Sequence, residues 1–239
     1  MDSIQAIPLE NLALAFVPVF VVVFILYRWN SDGREALIGI SRMLVQLLIV
    51  GYFLAYLFDA KNAWIVLTVL AVMLFVSSWI SLRTVKLRRK SLYLIALISI
   101  LVGGGLVLLL ITQGVLGLDP WYEPRYLIPL GGMIFSSSMN SIGLAAERID
   151  AEIKRGVDYD KARSIALRAA LIPIVNALFG VGIVSLPGMM TGQILSGVSP
   201  LIAVRYQVLV MCMLFSASGI SAAFFLQLIK SHLIKSEQN

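Results

Sequence analysis

The sequence predicts an all-α, polytopic membrane protein of about seven transmembrane helices, with the N-terminus outside and the C-terminus inside. Three observations predict it. Of the 239 residues, 59% are hydrophobic and only 13% charged, against roughly 25% charged in soluble domains. Seven runs stay apolar for about 18 residues or more, the length of helix that crosses the hydrocarbon core. The basic residues gather on alternate connections, as they do when short cytoplasmic loops hold the Lys/Arg excess.

The runs are residues 8–27, 37–58, 63–82, 91–113, 126–146, 169–186 and roughly 204–229. They occupy most of the chain, so 1–239 reads as a single transmembrane domain. No basic stretch precedes the first run, which is therefore expected to remain as a helix and not to be cleaved as a signal. The one cysteine, Cys212, lies in the last run and excludes an intrachain disulfide.

Orientation follows from the connections. Residues 28–36 carry Arg28 and Arg34; 83–90 carry Arg83, Lys86, Arg88, Arg89 and Lys90. Residues 147–168 carry Arg148, Lys154, Arg155, Lys161, Arg163 and Arg168, and the tail carries Lys230 and Lys235. These 15 face one side, while the other has Lys61, Arg125 and Arg205. Membrane topology thus accounts for the +6 net charge, and no nucleic-acid partner is needed to explain it.

Two segments depart from plain spans. Residues 169–200 are too long for one perpendicular helix and contain Pro173, Gly180, Gly182, Pro187, Gly188, Gly192, Gly197 and Pro200. Pro187-Gly188 removes a backbone donor and loosens the chain, so a helix break is expected near Ser185–Gly188, with 185–200 either re-entrant or an outer loop. The second is the polar connection 147–168, with five acids and six bases around Gly156. Asp158 or Asp160 there is placed to cap a new helix. The expected form is a helix–Gly–helix elbow on the cytoplasmic face.

Several chemistries are missing. All thirteen acidic residues lie at or beyond the ends of the runs, and the single His232 is in the tail, whereas ion-coupled carriers display ionisable groups at depth. There is no His/Cys/carboxylate pattern for a catalytic metal and no glycine-rich phosphate loop. The chain reads as no enzyme. What is present is neutral polar or cationic. Arg42 and Gln46 lie one turn apart in the second run; Met133, Ser136, Ser137, Ser138, Met139, Asn140 and Ser141 cluster in the fifth; Asn176 is in the sixth. Met189, Met190, Thr191 and Gln193 surround the break, and Arg205 and Gln207 open the seventh. Serines in spans serve first as interhelical glue, whereas Arg42 is costly unless it meets water or a partner. Close helix packing is expected at Gly51-x-x-x-Ala55, Ser137-x-x-x-Ser141 and Gly188-x-x-x-Gly192.

Three stretches resemble the FetB-type family of ABC transporter permease subunits, which includes plant aluminium-tolerance half-transporters. They are Ser41-Arg42-Met43-Leu44-Val45-Gln46-Leu47, then Pro124-Arg125-Tyr126-Leu127-Ile128-Pro129-Leu130-Gly131-Gly132-Met133-Ile134 leading on to Met139-Asn140, and Ser185-Leu186-Pro187-Gly188-Met189-Met190-Thr191-Gly192-Gln193-Ile194-Leu195 running on to Arg205-Tyr206-Gln207. The resemblance implies a permease of the cell (inner or plasma) membrane that exports iron or another metal species. It also implies a homodimer paired with a separate ABC ATP-binding subunit, which would bind ATP and Mg; this chain would hold no cofactor. The expected translocation path uses Arg42, Gln46, Met133, Ser137, Met139, Asn140, Asn176, Met189, Met190, Gln193, Arg205 and Gln207. ATPase coupling is expected at Glu147, Arg148, Glu152, Gly156, Asp158 and Arg163. Iron prefers oxygen and nitrogen ligands, which the spans offer only as amides and hydroxyls, so Arg42 and Arg125 suit a chelated or anionic substrate better. The alternatives are a self-contained secondary carrier and a seven-helix sensor or scaffold.

Overall fold

The computed structural model of the chain describes residues 7–58, 62–85 and 89–237. Lys61, Lys86 and Arg88, three of the charges used for orientation, lie outside the described residues. Seven helices among the described residues are long and apolar enough to cross a membrane, in the expected order, and the named elements are all helical. The chain divides into two compact units, Met1–Asp59 and Ala60–Asn239.

In the first unit, α1 (Leu9–Leu14) and α2 (Phe16–Arg28) together make the first span. The interruption at Ala15 has a local cause: Pro18 has no N–H to reach the carbonyl of residue 14. A short turn containing Asn30 at φ 56, a left-handed position that asparagine tolerates, leads into α3 (Gly33–Phe58). Gly33 opens α3 against the Tyr27 ring, where a Cβ would lie 2.9 Å from Cδ2. Arg42 and Gln46 are both exposed on α3.

The second unit holds α4 (Ala63–Ser81), α5 (Arg89–Leu109), α6 (Pro124–Lys154), α7 (Tyr159–Gly180), α8 (Gly188–Leu195) and α9 (Pro200–Glu237). A π-helical turn, Leu110–Val115, extends α5. Helices α6 and α9 occupy the centre: α6 packs on α4, α5, α7 and α9, and α9 also packs on α5, α7 and α8. Fully buried on them are Ile134 and Ile142 of α6 and Ala217, Phe225 and Leu226 of α9.

Small residues allow this closeness, and of the expected spacings Ser137-x-x-x-Ser141 lies in it, with Ser137 against Ser218 and Ser141 buried. A Cβ on Gly103 would lie 2.4 Å from Ser221 Oγ and 2.6 Å from its backbone nitrogen, so the backbones of α5 and α9 meet closely there. Gly131 is closed by Leu70 and Gly104 by Ile134. By contrast Gly51, Gly188 and Gly192 have nothing within 4 Å; a small residue permits an approach without deciding which face is approached. The serines do bridge helices. Ser137 and Ser218 hydroxyls are 2.7 Å apart, Ser221 donates to Ser138 at 3.0 Å, and Ser138 donates to the Ala217 carbonyl at 3.3 Å.

Helix outruns the apolar runs furthest in three places: Pro124–Lys154 against 126–146, Tyr159–Gly180 against 169–186, and Pro200–Glu237 against 204–229. The inner ends of the first two are the arms of the expected elbow, while the sixth helix stops six residues short of its run. Apolar runs mark the bilayer, whereas helix continues through any polar stretch of good propensity. The break after α7 also begins earlier than Ser185. The chain leaves the helix at Gly180, turns through Gly182 at φ 84 with its N–H on the Ser185 carbonyl at 2.9 Å, and re-enters helix at Gly188. The resulting α8, of 8 residues, is far shorter than the ~20 residues that cross a bilayer.

Candidate functional site

One end of the second unit holds a cavity of about 410 Å³ lined by Leu116, Arg125, Tyr126, Pro129, Leu130, Met133, Met189, Tyr206, Leu209 and Val210. The local chemistry explains how these elements meet. The π-turn closes with Leu116 N–H on the Ile111 carbonyl, five residues back, at 2.9 Å, and such turns recur at functional sites. Helix α6 then starts with Pro124 in its first turn, where its missing N–H costs nothing. Trp121 and Tyr122 precede it, packed edge to face at 5.6 Å, as aromatics do at the membrane interface. Arg125, Pro129 and Met133 recur every four residues on one face of α6. Across from them, Tyr206 of α9 lines the same cavity as Tyr126.

An open groove of about 530 Å³ continues down the same face, lined by Pro129, Gly132, Met133, Ser136, Ser137, Asn140 and Leu214. Pro129 and Met133 belong to both spaces. From Arg125 to Asn140 the lined face is about 22 Å long at 1.5 Å per residue, most of a bilayer core of about 30 Å. Its polarity changes along that length, from a cation and two phenols at the mouth to hydroxyls and an amide at depth.

Of the residues expected on a path, Met133, Ser137, Asn140 and Met189 line these spaces. Gln193 and Gln207 each bury a side-chain oxygen that has no hydrogen-bond partner, and a buried polar atom of that kind is rare enough to need a reason. Arg205 is exposed beside Tyr206, Met190 is half-buried on α8 and Met139 half-buried on α6. Asn176 is exposed on α7 and lines neither space. Arg42 and Gln46 belong to the first unit. Thr191 caps its own turn, donating to the Pro187 carbonyl at 3.1 Å. Sequence reasoning missed Tyr126, Pro129 and Tyr206 as lining residues, although counting in fours from Arg125 would have found Pro129 and Met133 together.

The other end holds the elbow. α6 has 31 residues, about 46 Å of helix, so it outruns a ~30 Å core by about ten residues. It ends in a Schellman motif: Gly156 N–H on the Ile153 carbonyl at 2.9 Å and Val157 N–H on the Glu152 carbonyl at 3.1 Å, with Gly156 at φ 77 where glycine is favoured. Asp158 then caps α7, accepting from the Asp160 N–H at 3.1 Å. Glu147, Arg148, Gly156 and Asp158 are exposed. Glu152 is buried and grips Arg148 at 2.8 Å and Arg155 at 3.3 Å, so it shapes the knob from inside. The elbow is also tied to α9. The Tyr159 hydroxyl donates to the Leu226 carbonyl, Arg163 donates to Gln227 at 3.2 Å, and Lys230 pairs with Asp160 at 3.7 Å while lying 5.2 Å from the Tyr159 ring centre. Helices α6 and α9 therefore both run from the elbow to the cavity.

Comparison with known proteins adds relatives. The model of the uncharacterised protein family UPF0014 matches residues 9–159 and 158–234. The UPF0014 membrane protein slr1647 of Synechocystis is 38% identical over 85% of this chain and 86% of its own length. The probable iron export permease protein FetB of Escherichia coli is 33% identical, over 89% of this chain and 86% of its own. Protein ALUMINUM SENSITIVE 3 of Arabidopsis thaliana is 30% identical, over 88% and 81%. No solved structure matches.

Proposed function

The chain belongs to the UPF0014 family, and from that premise we propose that it is the membrane-spanning permease subunit of an ATP-driven ABC transporter exporting iron or another metal species. It is an integral membrane protein, with seven helices among the described residues long and apolar enough to cross a bilayer. The observation that carries the proposal is the two-ended second unit. A cavity lies at one end of α6 and α9, and an ordered, charged knob lies at the other. From Met133 to Glu152 is about 29 Å along the helix, close to one bilayer core. A permease driven by a separate ATPase needs that separation, because force enters on one face and substrate leaves at the other. The sequence has no glycine-rich phosphate loop, which supports a reading in which ATP and Mg bind to a partner subunit. The similarity to a probable iron export permease supports a metal cargo.

In this reading the N-terminus is outside and the C-terminus inside, since the elbow must meet a cytoplasmic ATPase. Two copies form the working unit, one for each of two ATP-binding subunits, in the inner or plasma membrane. The test is co-purification of the intact chain with an ABC ATP-binding subunit, together with a reporter fused after Asn239. Capture of the ATPase and a reporter active only in the cytoplasm are expected. An external reporter would put the elbow on the wrong face and end the proposal.

A further inference from the structure

The mouth cavity is built for a different chemistry from that of a free metal ion. Its volume of about 410 Å³ equals the liquid share of roughly a dozen water molecules and falls in the size range of small-molecule pockets. A divalent or trivalent ion entering it would shed hydration against leucines, a valine and a proline. The cost of that step rises with the square of the charge, and oxygen- and nitrogen-loving metals recover it only from carboxylate, imidazole or similar donors. No carboxylate or imidazole lines the cavity, and its two phenols, Tyr126 and Tyr206, would have to give up their protons to act as ligands. Among the described residues, moreover, no three His, Cys, Asp or Glu side chains group to hold a metal. The only charged lining residue is Arg125, which repels a cation.

The same lining suits an organic anion. A guanidinium presents its N–H donors in a planar fork that matches carboxylate or phosphate. Tyr126 and Tyr206 both line the cavity, bringing two hydroxyls that can donate or accept and two flat apolar ring faces. Met133 and Met189 lie in the same lining, and thioether chains adapt to irregular apolar shapes. We infer that this cavity takes an organic anion with an apolar or aromatic body, so that metal leaving through the protein crosses inside an organic chelate and not as a free ion. The inference rests on the permease reading and names the substrate class of that same site.

The test measures binding to the full-length chain in nanodiscs. The probes are iron(III) complexed with 2,3-dihydroxybenzoate, 2,3-dihydroxybenzoate alone, and free ferrous ion under reducing conditions. ATP-driven uptake into inside-out vesicles is measured in parallel with the ATP-binding subunit present. The expected result is saturable binding of the iron complex, weakened at least ten-fold in Arg125→Gln and partly restored in Arg125→Lys. Leu209→Trp, which fills the cavity without altering charge, should abolish it. Free ferrous ion should bind no better than to empty nanodiscs. Saturable ferrous binding that Arg125→Gln leaves intact or strengthens would overturn the inference, as would absence of saturable binding of both the complex and 2,3-dihydroxybenzoate. Arg125-dependent binding of the complex without ATP-driven uptake would instead sink the permease reading while leaving the ligand class standing.

Discussion

If α9 carries motion from the elbow to the cavity, loosening the tie between them should uncouple hydrolysis from transport without releasing the ATPase. The variant is Tyr159→Phe combined with Lys230→Met. The first substitution removes the hydroxyl that donates to the Leu226 carbonyl, a loss of about 1 kcal/mol for an ordinary hydrogen bond. The second removes an ammonium 5.2 Å from the Tyr159 ring centre, worth roughly 0.5–1 kcal/mol at an exposed site. It also removes an ion pair at 3.7 Å with Asp160, whose side chain is 63% exposed, so that pair adds only a few tenths of about 1 kcal/mol at most. The total of about 1.5–2 kcal/mol corresponds to a shift of roughly ten- to thirty-fold in the tied population. It is too small to disturb the buried α6–α9 contact. The assay is transport per ATP hydrolysed in vesicles, with co-purification as control. An approximately ten-fold fall in that ratio with intact binding is expected. An unchanged ratio would refute the idea that α9 transmits force, and loss of the ATPase would make this surface a dock and not a strut.

Three further outcomes follow from the same geometry. Gly156→Pro cannot adopt φ 77, because proline holds φ near −65°; the variant should insert normally yet lose co-purifying ATPase, as should charge reversal at Glu152 and Arg163 together. Gly103→Val drives a side chain into the Ser221 backbone, already 2.6 Å from a bare Cβ. Overpacking of this kind costs about 1–3 kcal/mol or more, and a lowered melting temperature in detergent is expected. Arg42→Leu should keep normal amounts in the membrane but slow ATP-dependent transport, because a cation about nine residues into α3 is retained only where it meets water or a partner; a wild-type rate would make Arg42 a snorkelling residue.

The number and order of the spans were legible because lipid imposes a crude rule: some twenty apolar residues cross it. Helix ends were less so. Nothing in hydropathy shows that α6 continues through Glu147–Lys154, since the signal reports the surrounding solvent and not the backbone. The elbow was readable as far as Gly156 and the Asp158 cap, both local rules of chain geometry. Its internal clamp could have been read too, because Arg148 and Arg155 lie four before and three after Glu152. The mouth was only half visible. Arg125, Met133 and Met189 were singled out from the sequence, while Tyr126, Pro129 and Tyr206 entered only as members of the family-like stretches. The π-turn at Leu110–Val115 has no signature in composition at all, since it records how α5 meets its neighbours.

The measurement that bears most directly on the permease role is metal uptake by inside-out vesicles containing this chain and its ABC ATP-binding subunit, with iron supplied as an organic complex. The account predicts accumulation that requires Mg-ATP, disappears when the phosphate-loop lysine of the ATPase is replaced, and disappears again in Gly156→Pro of this chain. Accumulation that proceeds without ATP or without the ATPase would contradict it, and would make a self-contained carrier the better description.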